Sequence, residues 1–246
     1  MRENKYDDER FFEAYSRFPR SMEGLRAAGE WHELERLLPD FRGRRVLDLG
    51  CGFGWHCRYA AEHGASRVVG ADISAKMLEG ARARNGGANI FYEQTAMEDI
   101  GYPPESFDIV LSSLAFHYVE DFPAVCGKVF DCLAPSGDFV FSCEHPVFTA
   151  EGSQDWYCDS KGEILHWPVD RYFMEGARTA HFLGCDVTKY HKTVTTYVNT
   201  LLKAGFVLTG LVEPRPDPRL MDVPGMADEL RRPMMLLVSA KKPDRI

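Results

Sequence analysis

Between Arg45 and Cys143 short β-rich runs alternate with helical stretches, and this rhythm restricts the fold more than any other feature of the chain. The strand candidates are Val46–Leu49, Arg67–Ala71, Ile90–Glu93, Asp108–Ser112 and Asp138–Cys143. Between them, Trp55–Glu62, Ala75–Arg84 and Phe122–Leu133 have helical composition and spacing. Strands separated by helices need crossover connections, which predicts a doubly wound α/β fold with a mostly parallel sheet. The apolar runs Ile109-Val110-Leu111 and Phe139-Val140-Phe141 fit strands buried on both faces. A helix near Thr193–Ala204 and two more strands, Phe206–Val212 and Met234–Ala240, bring the sheet to seven.

Ahead of this core, Ser21–Leu38 reads as a helix stopped by Pro39. Behind it, Pro146–Lys189 breaks the rhythm with Trp156, Tyr157, Trp167, Tyr172, Phe173 and Phe182. The expectation is one domain: an N-terminal helical cap over 1–40, a core over 42–143, an insertion after strand five over 146–189, and 190–246 completing the sheet. The 217–233 connection is long for a hairpin and is expected to form a surface or lid element.

At 246 residues, 45% of them hydrophobic and 27% charged, the chain has the composition of a globular protein. A net charge of −8 argues against a nucleic-acid partner, which would select a basic face. Seven cysteines, an odd number with no C-x-x-C pair, predict reduced thiols and a cytoplasmic location. The charged N-terminus does not resemble a signal peptide, and no apolar run approaches the ~18 residues of a membrane span. No Asp/Glu/His grouping has metal-ligand spacing.

The segment from Val46 through Asp48 and Leu49 to Gly50-Cys51-Gly52-Phe53-Gly54 runs from a strand into a glycine-dense turn and then a helix. Glycines permit positive φ and let backbone pass close to a ligand, and open parallel sheets bind nucleotides at the carboxyl end of their first strand. Alone, such a turn is weak evidence. Asp72 strengthens it by placing a carboxylate at the end of the second strand, where it can accept hydrogen bonds from both ribose hydroxyls. A capping role for Asp72 with Ser74 is compatible with this.

These stretches, with Ser106-Phe107-Asp108-Ile109-Val110-Leu111-Ser112 and Ala115-Phe116-His117-Tyr118-Val119, make Arg42–Cys143 resemble the class I S-adenosylmethionine-dependent methyltransferases. The small-molecule group that includes quinone-biosynthesis enzymes is the most similar. The resemblance implies S-adenosylmethionine as cofactor and an antiparallel last strand. It implies that Gly50, Cys51 and Gly52 approach the methionine end, that Asp72 holds the ribose, and that Ile73 and Met77 flank the adenine. Ala96 stands where many relatives carry an aspartate for the adenine amino group, so a backbone contact at Met97 or the Glu98 carboxylate is expected to substitute. Asp48 suits the cofactor's amino group.

The sulfonium already activates the methyl group, so in-line positioning of an acceptor is the main task. Ser113 ends the fourth strand facing the methionine end, and His117 is the candidate base because an ordinary imidazole titrates near neutrality. Glu144 and His145 after strand five, and Tyr190 and His191 at the expected start of the next helix, are candidate acceptor contacts. Tyr15 and Arg20 are candidates for a lid over the cofactor, Tyr15 by cation–π attraction and Arg20 through a carboxylate. The inserted aromatics favour a closed pocket and a small-molecule acceptor, in a monomer or homodimer. Two alternatives stay open here. One is a non-catalytic cofactor-binding module. The other is a nicotinamide-dependent oxidoreductase, disfavoured because Trp55 occupies the last glycine position of G-x-G-x-x-G.

Overall fold

The structure is a computed structural model that describes residues 4–244. The N-terminal cap comprises α1 (Glu9–Ser16), α2 (Pro19–Glu23) and α3 (Trp31–Leu37). The core alternates β1 (Arg45–Leu49), α4 (Trp55–Glu62), β2 (Arg67–Asp72), α5 (Ala75–Asn85) and β3 (Ile90–Gln94). It continues with β4 (Phe107–Ser113), α6 (Phe122–Cys132) and β5 (Leu133–Glu144). After α7 (Pro146–Thr149), the insertion holds β6 (Tyr157–Cys158), β7 (Ile164–His166), β8 (Gly176–Phe182) and β9 (Cys185–His191). Then α8 (Val194–Ala204), β10 (Val207–Val212) and β11 (Met235–Lys241) follow.

Seven strands form one sheet in the order β10-β11-β5-β4-β1-β2-β3. β11 runs antiparallel to both of its neighbours, and the other pairs are parallel. This is the doubly wound sheet that the alternation predicts.

Period-two alternation in β1 divides its side chains between the two layers. Leu47 and Leu49 join Phe139 and Phe141 against α6 and α8, where Val125, Val129, Tyr197 and Leu201 meet them. Val46 joins Cys57 and Ala60 of α4, Leu78 of α5 and Leu34 of α3. Each buried Val, Leu or Phe among them contributes about 1.5–3 kcal/mol, and the two layers together fix the edge at which β1 to β5 end. The strand order reverses between β1 and β4, which opens a crevice at those carboxyl ends.

Two expectations need correction. The single helix expected over Ser21–Leu38 is broken, because Gly24 takes φ 65° and a Cβ there would lie 2.6 Å from the Trp55 indole. The chain turns at Gly24, and the short turn over Gly24–Ala27 packs against the start of α4. The insertion is also more regular than its composition suggests, since β6–β7 and β8–β9 are antiparallel hairpins. Trp167 stacks on Phe148 and meets Trp156 edge-on, and Arg232 lies 4.2 Å over the Trp167 ring. That contact ties the 217–233 connection to the insertion, so the two form a shared roof. Among the described residues no helix is long and apolar enough to cross a membrane.

Candidate active site

A cavity of about 1440 Å³ runs along the carboxyl edge of the sheet. At its centre Gly50 adopts φ 68°, and a Cβ there would come within 2.6 Å of the Ala115 Cβ, so glycine is required. The Gly50 and Cys51 amides donate to Ala71 O at 2.8 and 3.1 Å, which ties the turn to β2. Asp72 finishes the clasp: Oδ2 accepts from Gly52 N and Oδ1 from Ser74 N, both at 2.8 Å. Burial raises the Asp72 pKa, and those two amides oppose the rise. Ser74 in turn caps α5 by accepting from Met77 N.

Ile73, Met77, Met97 and Glu98 line one end of the cavity, with Ala96 beside them. Toward the middle, Arg20 donates to Glu30 Oε1 at 2.5 Å and to Ser113 Oγ at 2.8 Å. Glu30 is 1% exposed, and its Oε2 is buried without a hydrogen-bond partner. Tyr15 and Tyr6 close this region from the N-terminal side, and the Tyr6 and Tyr118 hydroxyls lie 3.2 Å apart.

At the far end stand His117, Glu144 and Tyr190, roofed by Trp156, Phe182 and Val187 from the insertion and by Arg215, Leu220 and Met226 from the late connection. The His117 Nδ1 accepts from Glu144 N at 3.3 Å, and its Nε2 lies 3.9 Å from Glu144 Oε1. Burial lowers the His117 pKa to about 4, with Glu144 pulling it up and Lys189 and Lys192 pushing it down. The near-neutral titration expected for this histidine is therefore corrected: the imidazole is uncharged through the physiological range.

Four expected residues do not line the cavity. Asp48 shares the Val46 side of β1, where Cys57 Sγ donates to it at 3.3 Å and burial raises its pKa to about 7. The Cys51 side chain turns under the loop into the same layer, although its amide belongs to the clasp. His145 caps α7 through Nδ1, and its Nε2 lies 2.9 Å from Glu213 Oε1, close enough for an ion pair but off the line a hydrogen bond needs. His191 is fully buried, with Nδ1 on Thr149 Oγ1 at 2.7 Å and Nε2 on Tyr172 O at 2.8 Å. Both ring nitrogens are engaged, so it braces the insertion. Tyr190 reaches the cavity from the end of β9 and not from a helix start.

Sequence reasoning missed Glu30, Lys189, Gln154 and Asp7. Lys189 donates to Glu144 Oε1 and Gln154 Oε1, and Gln154 donates to Glu144 Oε2. The signal available for Lys189 was the alternation of Val187, Lys189 and His191, which are the buried positions of β9.

Residues 47–141 match the methyltransferase domain as a sequence family. The chain is similar to the solved structure of a Listeria monocytogenes protein assigned to the S-adenosylmethionine-dependent methyltransferases: 60% identity, 90% of this chain and all of that one, TM-score 0.86. A solved S-adenosylmethionine-dependent methyltransferase from Mesorhizobium loti is 45% identical over 89% of this chain and all of that one, with a TM-score of 0.83. The ubiquinone biosynthesis O-methyltransferase of Neisseria meningitidis serogroup C is 38% identical over 107 residues. That match spans 42% of this chain and 45% of the relative, less than half of its length.

Proposed function

The chain belongs to the S-adenosylmethionine-dependent methyltransferase family, and from that premise we propose that it methylates a small molecule held at the Glu144–His117 end of the cavity. The observation that carries this reading is one continuous cavity from the Asp72 clasp to Glu144, roofed by the insertion and the late connection. A roofed pocket lined by Trp156, Phe182, Leu220 and Met226 suits a compact, largely apolar acceptor better than a protein or nucleic-acid surface.

The residues at the other end fit the cofactor. A Cβ on Gly52 would meet nothing within 4 Å, so the loop offers open backbone to a ligand beside the Asp72 carboxylate. Asp72 receives the ribose hydroxyls, while Ile73, Met77 and Met97 enclose the adenine. With Ala96 lacking a carboxylate, the adenine amino group falls to Glu98 or the Met97 backbone. Arg20, steadied by Glu30 and Ser113, binds the methionine carboxylate, and Tyr15 closes over the centre. When bound, S-adenosylmethionine supplies a methyl group activated for in-line displacement.

What the chain adds is orientation, a contribution that reaches roughly 7–11 kcal/mol when reacting atoms are well aligned. A neutral His117 whose Nδ1 accepts a backbone hydrogen bond carries its proton on Nε2. It therefore serves the acceptor as a hydrogen-bond donor. Service as a base would need the opposite tautomer, with Nδ1–H facing the Glu144 amide.

The test is incubation with methyl-labelled S-adenosylmethionine and a cell extract split into low-mass, protein and RNA fractions. Label is expected in a low-mass product resolved from residual S-adenosylmethionine. Transfer of label to protein or RNA with no such low-mass product overturns the small-molecule assignment.

A further inference from the structure

Lys189 is 3% exposed and lies behind the cavity wall, where it reaches the lining residue Glu144 from β9. Its Nζ lies 2.5 Å from Glu144 Oε1 and 2.7 Å from Gln154 Oε1, and Gln154 Nε2 lies 2.7 Å from Glu144 Oε2. The three side chains close a ring. Gln154 holds φ 60°, an uncommon conformation outside glycine, to bring its amide into that ring. Removing two charges from water is costly even when they pair, so a buried ion pair is weak evidence for stability. Beside a cavity and next to a histidine it is better evidence for a site.

Resting on the acceptor reading above, we propose that Lys189, aided by Gln154, is a positioning residue of the acceptor site: by fixing and neutralising Glu144 it keeps His117 an uncharged hydrogen-bond donor to the acceptor. The titratable groups around His117 are Glu144 from β5, Lys189 and Tyr190 from β9, Lys192 just beyond it, Tyr118 beside it, and Tyr6 on the Tyr118 hydroxyl. Glu144, Lys189 and Lys192 carry the charge at neutral pH. Lys192 is spent on the Val119 and Tyr190 carbonyls, which leaves Lys189 as the counter-charge in contact with Glu144. Without it, a carboxylate 3.9 Å from Nε2 would favour the imidazolium. An imidazolium has lost the neutral ring's match to an uncharged acceptor and pairs with Glu144 instead. The ring also spans two elements, since Lys189 and Gln154 belong to the insertion and Glu144 to the sheet. Seating the roof therefore completes the site.

NMR titration of the imidazoles reads this charge state without turnover, with the His117 resonance assigned by its loss in His117→Gln. The wild-type midpoint is expected at about 4. Lys189→Met should raise it by about one to three pH units. The double variant Lys189→Met/Glu144→Gln, which lacks both charges, should return it close to the wild-type value. An unmoved midpoint in folded Lys189→Met, or a raised one that persists in the double variant, overturns the proposal. If Lys189→Met does not fold, Lys189→Gln keeps hydrogen-bonding capacity without charge and carries the same expectation. Methyl transfer is then compared from about one pH unit below the variant's measured midpoint up to about pH 8, where the raised midpoint should suppress the rate at the acid end. A raised midpoint with a wild-type rate profile shows that the acceptor does not lie on His117, and the acceptor reading falls instead.

Discussion

Asp7 Oδ1 accepts the Ser74 hydroxyl at 2.6 Å and the Lys76 amide at 3.1 Å. Ser74 also bonds Asp72 through its own amide, so one residue joins the N-terminal turn to the carboxylate beneath the cavity. A helix start presents unpaired amides and the positive end of the helix dipole, and the eleven-residue α5 offers both to Asp7. The turn that carries Lys5 and Tyr6 over the cavity is thus latched to the strand end that holds the proposed ribose contact.

Asp7→Ala should release the latch. α5 keeps its own cap in Ser74, so the fold is expected to survive while the roof over the cofactor loosens. A capping interaction of about 0.5–2 kcal/mol corresponds to a roughly 2- to 30-fold faster release of S-adenosylhomocysteine in stopped-flow measurements. Burial alone would raise the Asp7 pKa, but hydrogen bonds from Ser74, Lys76 and Asn4 outweigh it and hold the pKa below 3.8. The latch is therefore fully formed above that value and lost as pH falls through the depressed one. Release that is unchanged in the variant would reduce Asp7 to a surface cap.

Asp72→Ala removes two acceptors at once. The proposed ribose contact goes, and so does the bridge that holds Gly52 N against β2. Hydrogen bonds to a charged group are worth about 1.5–3 kcal/mol, so calorimetry with S-adenosylhomocysteine should show at least about tenfold weaker binding. Native affinity in a folded variant would remove the ribose role.

The part of the site that was legible in the sequence is the part built from contiguous residues. Val46 to Gly54 specify strand, turn and helix by local rules, and Asp72 follows from the position of the second strand end. Family membership then excludes the nicotinamide and binding-module alternatives, and methyl transfer stands. Gln154 and Glu30 escaped because no local pattern distinguishes them, and the alternation in β9 marks Lys189 as buried without naming its partner. Lys189 meets Glu144 across 45 residues of sequence and Arg20 meets Ser113 across 93, contacts that exist after folding and not before. Asp48 and His191 were misplaced for a related reason. Chemical suitability was read without asking which layer of the fold each side chain enters, and alternation turns Asp48 toward α4 while Thr149 and Tyr172 engage both nitrogens of His191.

His117 distinguishes donor from base by substitution. His117→Gln places an amide N–H near the Nε2 position and has no proton-accepting nitrogen. If His117 acts as a donor, kcat in the Gln variant should stay within about tenfold of wild type, while His117→Ala loses more. A fall of about 10²–10⁴-fold in both variants would identify a base. Affinity for S-adenosylhomocysteine should be unaffected in either variant, because the ring lies at the proposed acceptor end of the cavity.

Buried histidines should cost the fold stability as pH falls, and Asp48, raised to about 7 by burial, takes up its proton first in the folded chain and offsets part of that cost. Burial lowers His56 to about 3 and His117 to about 4, against an unfolded value near 6.5. The unfolded chain therefore takes up these protons first, and the native state loses ground as pH falls below 6.5 until the depressed values are reached. At pH 5 each ring should cost about 2 kcal/mol relative to pH 7, by linkage between proton uptake and unfolding. His145 and His191 are shifted in the same direction, both by burial first, and add to the decline. Urea unfolding of the cofactor-free chain at the two pH values measures the sum. His56→Phe tests one part of it: the ring sits 5.7 Å from Trp31 in an apolar layer, so the variant should fold and its stability should depend less steeply on pH. A pH dependence as steep as that of wild type would mean that His56 is not held neutral in the folded protein.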